Sequence, residues 1–181
     1  LLEARLHFGE MKKNHVIKKD LKKHFYIYQI DFLDHTQLGF LSLASLEDFQ
    51  NRKIKIHEKI HENRMKERAD QMLNINTQIG PIYVSYPYNQ EIENLLKSYL
   101  NINTIPDYDF ESFDQSTHKL WCIEDNNFQK ILQDKFINVE SLYICDGHHR
   151  IGAMGLISNM YKLKNKNFDY VMVAAFPSNQ S

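Results

Sequence analysis

The sequence has 181 residues, of which 43% are hydrophobic and 25% are charged, as in an ordinary globular protein. This length is sufficient for one domain with a sizeable buried core. The formal net charge of −1 gives no overall attraction to nucleic acid or to an anionic membrane, so we expect neither partner.

The two cysteines, Cys122 and Cys145, each lie in an apolar, strand-like run. This placement favours buried free thiols in a reducing compartment over a disulfide framework, so we expect a cytoplasmic protein. The sequence contains no apolar stretch of membrane-spanning length and no signal-peptide pattern at its start. We therefore expect no membrane partner.

The first part of the chain predicts helical and strand-like segments. Residues 1–20 show no clear period and are expected to be partly helical. Residues 25–30 (FYIYQI) and 38–43 (LGFLSL) predict a hairpin around a polar turn at residues 31–37. Ser45 is typical of an N-cap before the short helix LEDFQ.

The middle of the chain continues this alternation. Ile54 and Ile56 alternate with polar residues, as in a strand. Residues 62–73 are charged with sparse apolar positions and predict a surface helix. A strand at residues 81–86 (PIYVSY) and a helix at residues 91–100 follow.

The last part predicts a second hairpin and a closing strand. Residues 107–113 and 117–123 flank the turn of this hairpin, and a helix at residues 126–136 follows. Residues 168–176 (FDYVMVAAF) predict a buried final strand. Helices that alternate with strands and hairpins predict an α/β or α+β domain with a mixed sheet over residues 25–181. Residues 1–24 would form an N-terminal extension.

One stretch, residues 142–163 (LYICDGHHRIGAMGLISNMYKL), predicts a strand, a tight turn and a helix. The apolar start LYIC predicts a buried central strand that ends at Asp146-Gly147, a typical turn dipeptide. Ile151, Met154 and Ile157 then recur at helical spacing. The start of a helix offers free N–H groups and the positive end of its dipole, which suits an anion.

The turn itself holds five residues that suit such a site: Asp146, Gly147, His148, His149 and Arg150. The arginine side chain offers a planar fork for phosphate oxygens, and histidine can hold a proton near neutral pH. The aspartate can serve as a base or as a metal ligand. The alternative is an aspartate cap followed by a solvated first turn.

A second candidate is His57-Glu58-Lys59-Ile60-His61, which matches the H-E-x-x-H pattern of zinc peptidases. That chemistry requires a helix, whereas Ile54 and Ile56 indicate a strand just before the motif. We therefore expect His57 and Glu58 to end a strand or begin a turn, with Glu58 facing the site. An exposed carboxylate without a role is the alternative.

The third candidate is His118 in the segment His118-Lys119-Leu120-Trp121. On a strand, His118 and Leu120 share one face and Lys119 and Trp121 share the other. A role for His118 in the site and an ordinary place in the sheet both remain open. We expect Glu58, His118 and Asp146 to converge on one pocket.

These segments together resemble a large domain-of-unknown-function family. Its members carry K-x-H-E, T-x-A-N-x-G-P-I-like, H-R-L-W and D-G-H-H-R segments, which here are KIHE, INTQIGPI, HKLW and DGHHR. The order and approximate spacing agree over residues 25–176. Lys119 stands where the family usually has arginine. Members are usually longer, so the resemblance implies a core or a shortened relative.

The DGHHR segment also resembles the nucleotide loop of the ParB/sulfiredoxin superfamily, which includes free-serine kinases. This resemblance implies a ParB/sulfiredoxin-like core, with Glu58 as the catalytic base and residues 146–150 as the phosphate loop. It further implies a nucleotide (ATP or ADP) and Mg²⁺, with Asp146 as a metal ligand. The catalytic residues would then be Glu58, Asp146 and His148.

The remaining candidates, Gly147, His149, Arg150, His57 and His118, would bind the nucleotide or its phosphates. Phosphoryl transfer requires positioned positive charge, a metal ion and a base. We therefore expect a kinase that acts on a hydroxyl of a small metabolite such as free serine. A metal-dependent hydrolase and a non-catalytic nucleotide-sensing module are the alternatives, and the oligomeric state stays open.

Overall fold

The computed structural model describes residues 2–161 and 168–180. In these residues, eight strands form one mixed sheet and six helices flank it. The strands are β1 (Phe25–Phe32), β2 (His35–Ser45), β3 (Ile54–Lys55), β4 (Ile82–Tyr86), β5 (Tyr108–Glu111), β6 (Thr117–Ile123), β7 (Leu142–Asp146) and β8 (Tyr170–Pro177). The helices are α1 (Leu2–Lys13), α2 (Leu46–Gln50), α3 (Glu62–Ile75), α4 (Gln90–Ile102), α5 (Asn126–Ile137) and α6 (His148–Tyr161). The fold class is therefore α+β, as the sequence predicts.

The strand order in the sheet is β3-β7-β4-β8-β2-β1-β6-β5. Strands β3 and β7 run parallel, as do β4 and β8, and the other neighbours are antiparallel. Because β3 and β7 are parallel neighbours, their carboxyl ends meet at the same edge of the sheet. The amino end of the antiparallel strand β4 lies at that edge as well.

One face of the sheet carries the main hydrophobic core. Six buried residues follow one another across six paired strands of this face: Trp121, Ile27, Phe40, Ala175, Val84 and Ile144. Leu96, Leu132, Ile151 and Met154 of helices α4, α5 and α6 belong to the same cluster. Because side chains alternate along a strand, the residues between these positions point to the opposite face.

Local sequence signals account for several elements. The Ser45 side chain accepts a hydrogen bond from Glu47 N–H at 3.1 Å, which confirms the predicted N-cap of α2. The hairpin of β5 and β6 is confirmed too. The first hairpin is longer than predicted, because its strands meet at a turn of only Leu33 and Asp34. The backbone of Leu33, at φ +51°, makes that tight turn possible, so the predicted turn at residues 31–37 is wrong.

Strand β7 also departs from its prediction. It is the second strand from the edge of the sheet, next to the two-residue strand β3, and Ile144 is its only fully buried side chain. Cys145 alternates with Ile144 and so lies on the opposite face of the strand, where it is exposed. The expectation of a buried thiol is therefore wrong there. Cys122 is half-buried, and both thiols are free.

The remaining helices match their sequence patterns with small shifts in their ends. Helix α1 has no buried residue and contacts α3, and the predicted helix after residue 146 is α6. Residues 162 and 163 of that predicted segment lie outside the described residues. In the described part of the chain, no helix combines the length and apolarity needed to cross a membrane.

Candidate active site at the start of helix α6

The candidate site begins at a turn that only glycine adopts readily. Strand β7 ends at Asp146, and the buried Gly147 follows with φ +99°, outside the range of most L-residues. A Cβ on Gly147 would lie 3.2 Å from Ile82 and from Arg150 Nε. The Gly147 carbonyl accepts hydrogen bonds from Arg150 N–H at 2.9 Å and Ile151 N–H at 3.1 Å. These bonds start α6, as the sequence predicts.

Arg150 lies in the first turn of α6, and its side chain folds back across the turn. One guanidinium nitrogen donates to the Pro81 carbonyl just before β4, and the other pairs with the Asp146 carboxylate. The arginine side chain is 24% exposed and that of Asp146 is 73% exposed. Arg150 therefore ties β7, α6 and β4 together. The guanidinium fork, which the sequence assigns to phosphate oxygens, thus contacts a carbonyl and a carboxylate of the protein itself.

Glu58 and His148 form a second acid–base contact of the site. Glu58 follows β3, and its carboxylate lies 3.5 Å from His148 Nδ1. The carboxylate side chain is 54% exposed, whereas that of His148 is only 4% exposed. Because β3 is parallel to β7, the loop after β3 and the turn after β7 share one edge of the sheet. That topology brings together two residues that are 90 positions apart.

The surroundings of His148 favour the neutral form of its ring. Burial lowers its pKa below the usual value, and the nearby His57 lowers it further, while Glu58 and Asp146 act in the opposite direction. The ring of His57 meets that of His148 edge-on at 4.7 Å. His148 Nε2 is buried and has no hydrogen-bond partner among the described residues. Such orphaned polar atoms are uncommon in folded proteins and occur at catalytic sites.

His149 and His61 form a second histidine pair beside the first. Their rings stack with centroids 5.7 Å apart, and His149 Nε2 accepts a hydrogen bond from the His61 backbone N–H at 3.2 Å. The contact holds the loop after β3 against the first turn of α6.

The H-E-x-x-H pattern is not helical here. Residues 56–61 form a loop between β3 and α3, and His57 and His61 contact different histidines of α6. Among residues 2–161 and 168–180, no three His, Cys, Asp or Glu side chains are grouped to hold a metal ion. A zinc-peptidase centre therefore lacks both its helix and its ligand set.

His118 does not join this cluster. Strand β6 lies five positions from β7 in the sheet, so the predicted convergence of His118 with Glu58 and Asp146 is wrong. His118 Nδ1 lies 2.7 Å from the Tyr28 hydroxyl, and Nε2 lies 2.8 Å from the Ser116 hydroxyl. Glu58 and Asp146, in contrast, both lie close enough to affect the pKa of His148.

The family described as Protein of unknown function (DUF1015) matches the chain over residues 1–181. The chain belongs to this family. The assignment to a domain-of-unknown-function family from the sequence is thereby confirmed. The chain matches no curated protein and no solved structure.

Three site residues of this family member were not singled out from the sequence. They are Pro81, whose carbonyl binds Arg150, His61, whose ring stacks on His149, and Tyr83, which lies opposite Asp146 in the β4–β7 ladder. The segment GPI at the start of β4 was the sequence feature that could have pointed to Pro81 and Tyr83 as site residues. His61 was assigned only to the zinc motif, because its contact depends on tertiary structure.

Proposed function

We propose that this protein is a nucleotide-dependent phosphotransferase, a kinase that acts on a hydroxyl of a small metabolite such as free serine. The observation that carries the proposal is the pairing of Glu58 with His148, directly after the Gly147 turn and at the start of α6. This arrangement combines a carboxylate suited to proton removal with a helix start suited to phosphate. The resemblance of DGHHR to the free-serine-kinase loop supports the same assignment.

The start of α6 would bind the phosphates of the nucleotide. The backbone N–H groups of His148 and His149 lie in the first turn, where an α-helix supplies no acceptor for them. The positive end of the helix dipole adds to their attraction for an anion. Ile82 and Arg150 fill the space in which a Cβ of residue 147 would lie, so glycine at this position preserves the turn that orients these groups.

A magnesium ion fits the available ligands better than zinc does. Mg²⁺ commonly uses one or two protein carboxylates together with substrate phosphates and water, so it needs no three-residue protein cluster. Asp146 offers such a carboxylate, which is 73% exposed beside the start of α6. When bound there, the ion would offset negative charge on the phosphates.

Glu58 would accept the proton of the attacking hydroxyl. Its carboxylate is more than half exposed, so an acceptor molecule can reach it. Because the lowered pKa of His148 favours its uncharged form, the ring does little to offset the negative charge of Glu58. In the balanced reaction with ATP, the serine oxygen bonds to the γ-phosphorus, ADP leaves, and the hydroxyl proton passes to Glu58.

The test is a transfer assay with Mg²⁺, ATP or ADP, and free serine, followed by mass spectrometry of the products. We expect phosphoserine in proportion to the nucleotide consumed. Nucleotide hydrolysis without phosphoserine, across a panel of small hydroxyl compounds, would identify a phosphatase instead. Nucleotide binding without any turnover would identify a sensing module, and neither binding nor turnover would contradict all three assignments.

A further inference from the structure

The sheet face opposite the main core carries a continuous row of rings, which we call the aromatic row. It consists of Tyr83, Phe176, Tyr28, His118 and Phe110 on strands β4, β8, β1, β6 and β5. The ring centroids of successive members lie 5.3, 5.7, 5.9 and 5.1 Å apart. The row therefore extends across the sheet, and its Tyr83 end lies nearest to the start of α6.

A glycine in the intervening strand makes this row possible. Gly39 of β2 pairs with Tyr28, and a Cβ at this position would lie 2.7 Å from Phe176 Cδ1. No side chain other than hydrogen fits there, so the rings of Tyr28 and Phe176 meet directly across β2. Phe176 is completely buried by this packing. It thus forms a rigid support for Tyr83.

Tyr83 is the member of the row that neighbours the candidate site. It pairs with Asp146 in the β4–β7 ladder, beside a shift of register between Tyr83 and Val84. Its ring is half-buried and tilted 51° against Phe176. The Gln37 side-chain amide donates a hydrogen bond to the Tyr83 hydroxyl at 3.2 Å, and also binds the Gln180 carbonyl. The ring is therefore held in place before any ligand arrives.

We propose that the ring of Tyr83 is the surface on which the base of the nucleotide stacks while its phosphates lie at the start of α6. This inference rests on the proposed phosphotransferase function, because it assumes the phosphate position given there. Every nucleobase presents a flat π-face, so stacking on an aromatic side chain suits a nucleotide without selecting one base. A ring already held by Phe176 and Gln37 loses little freedom when the base binds.

The other rings fit this role less well. Phe176 has no exposed surface, and His118 lies further from Asp146, on strand β6 towards the other end of the row. Tyr28 is engaged with His118 through its hydroxyl. Tyr83 alone among the five rings combines partial exposure with a position directly opposite Asp146.

The test compares two ligands, Mg-ATP and inorganic Mg-triphosphate, by calorimetric titration. Triphosphate offers the phosphates without a base, so the ratio of the two affinities isolates the stacking contribution. Tyr83→Leu keeps an apolar side chain against Phe176 but removes the π-face, and Tyr83→Phe keeps the ring. Tyr108→Leu, at the exposed edge strand β5, is the matched control. Thermal melts without ligand report whether each variant is folded.

We expect Tyr83→Leu to weaken Mg-ATP binding about 5- to 150-fold and to leave Mg-triphosphate binding unchanged. Tyr83→Phe and Tyr108→Leu should bind both ligands as the parent does. If the parent binds triphosphate as tightly as ATP, or if Tyr83→Leu preserves their ratio, the stacking assignment is overturned while the phosphate site stands. If the parent binds neither ligand, the proposed function itself fails.

Discussion

Glu58 is more than half exposed, yet its carboxylate lies 3.5 Å from an almost completely buried histidine. If this carboxylate had only a structural role, its replacement would mainly lower the stability of the fold. If it is a general base, its replacement would mainly lower the turnover rate. The distance between Glu58 and His148 exceeds that of a good hydrogen bond. The contact therefore leaves much of the hydrogen-bonding capacity of the carboxylate unused. One oxygen therefore remains available to a substrate.

We predict that Glu58→Gln keeps the fold and the nucleotide affinity but lowers turnover by about 10²- to 10⁴-fold, the usual contribution of a positioned base. The amide retains the size of the side chain but accepts no proton. The measurements are phosphoserine formation, nucleotide titration and thermal melting. Glu67→Gln, at an exposed position of α3, is the matched control and should retain activity. Equal activities of the two variants would remove Glu58 from the reaction.

His148 links the site to the pH dependence of folding. Its pKa in the folded protein is lowered, chiefly by burial, so the folded state binds fewer protons than the unfolded state. Its contribution to stability is therefore fully present above the unfolded value of about 6.5 and is lost as the pH falls through the folded pKa. We predict that the Tm of the parent falls between about pH 7.5 and pH 5, and that His148→Asn shows a smaller fall.

Thermal melts of the two proteins across that pH range measure the effect. His15→Asn is the control, since His15 is exposed and its φ of +58° is one that asparagine adopts readily. Its Tm should follow pH as the parent's does. Parallel curves of Tm against pH for the parent and His148→Asn would show that groups other than His148 cause the pH dependence of stability.

Arg150 joins three elements through two contacts, so its replacement should affect folding. We predict that Arg150→Lys lowers the free energy of unfolding by about 1–2 kcal/mol, because lysine cannot reach Asp146 and the Pro81 carbonyl with a planar fork. The exposure of Asp146 keeps the expected loss small. Urea denaturation measures it, with Arg64→Lys in α3 as the control. Unchanged stability would show that the Arg150 contacts contribute nothing to folding.

At the scale of elements, the turn between β7 and α6 determines where the first helical N–H groups point. We predict that Gly147→Ala lowers stability by about 1–3 kcal/mol, because a φ of +99° is strained for alanine. The added Cβ would also press on Ile82 and Arg150 at 3.2 Å. Nucleotide affinity should fall as well if the turn binds phosphate.

Gly9 of helix α1 offers the matched control for this substitution. A Cβ there would meet nothing within 4 Å, so Gly9→Ala should be neutral or should stabilise the helix by up to about 1 kcal/mol. Urea denaturation compares both variants with the parent. A Gly147→Ala protein as stable as the parent would mean that the turn can adopt another backbone conformation.

At the scale of the whole molecule, a bound nucleotide should stabilise the fold. A ligand at about 100 times its Kd contributes about 2.7 kcal/mol, which corresponds to a rise in Tm of about 5–11 °C for a chain of this size. We predict such a rise for a Mg-nucleotide, and a smaller one when EDTA removes the metal. Fluorescence-monitored melting across a nucleotide panel measures it. Identical curves with and without every nucleotide would contradict nucleotide binding.

The amino-acid sequence by itself determined the local elements. Apolar alternation, the Ser45 cap and the Asp146-Gly147 turn predicted strands, a helix start and the β7–α6 junction, because these signals act over a few neighbouring residues. The family membership also followed from short segments in order along the chain. The sequence further identified Glu58 and residues 146–150 as candidates, but not their contacts.

Only the tertiary structure decided which of those residues meet. The parallel pairing of β3 with β7 brings Glu58 to His148, and the same strand order places His118 five positions away. Strand order depends on how side chains from the whole chain pack together, so a local pattern does not contain it. The burial of His148, the exposure of Cys145 and the contacts of Arg150 follow from that packing for the same reason.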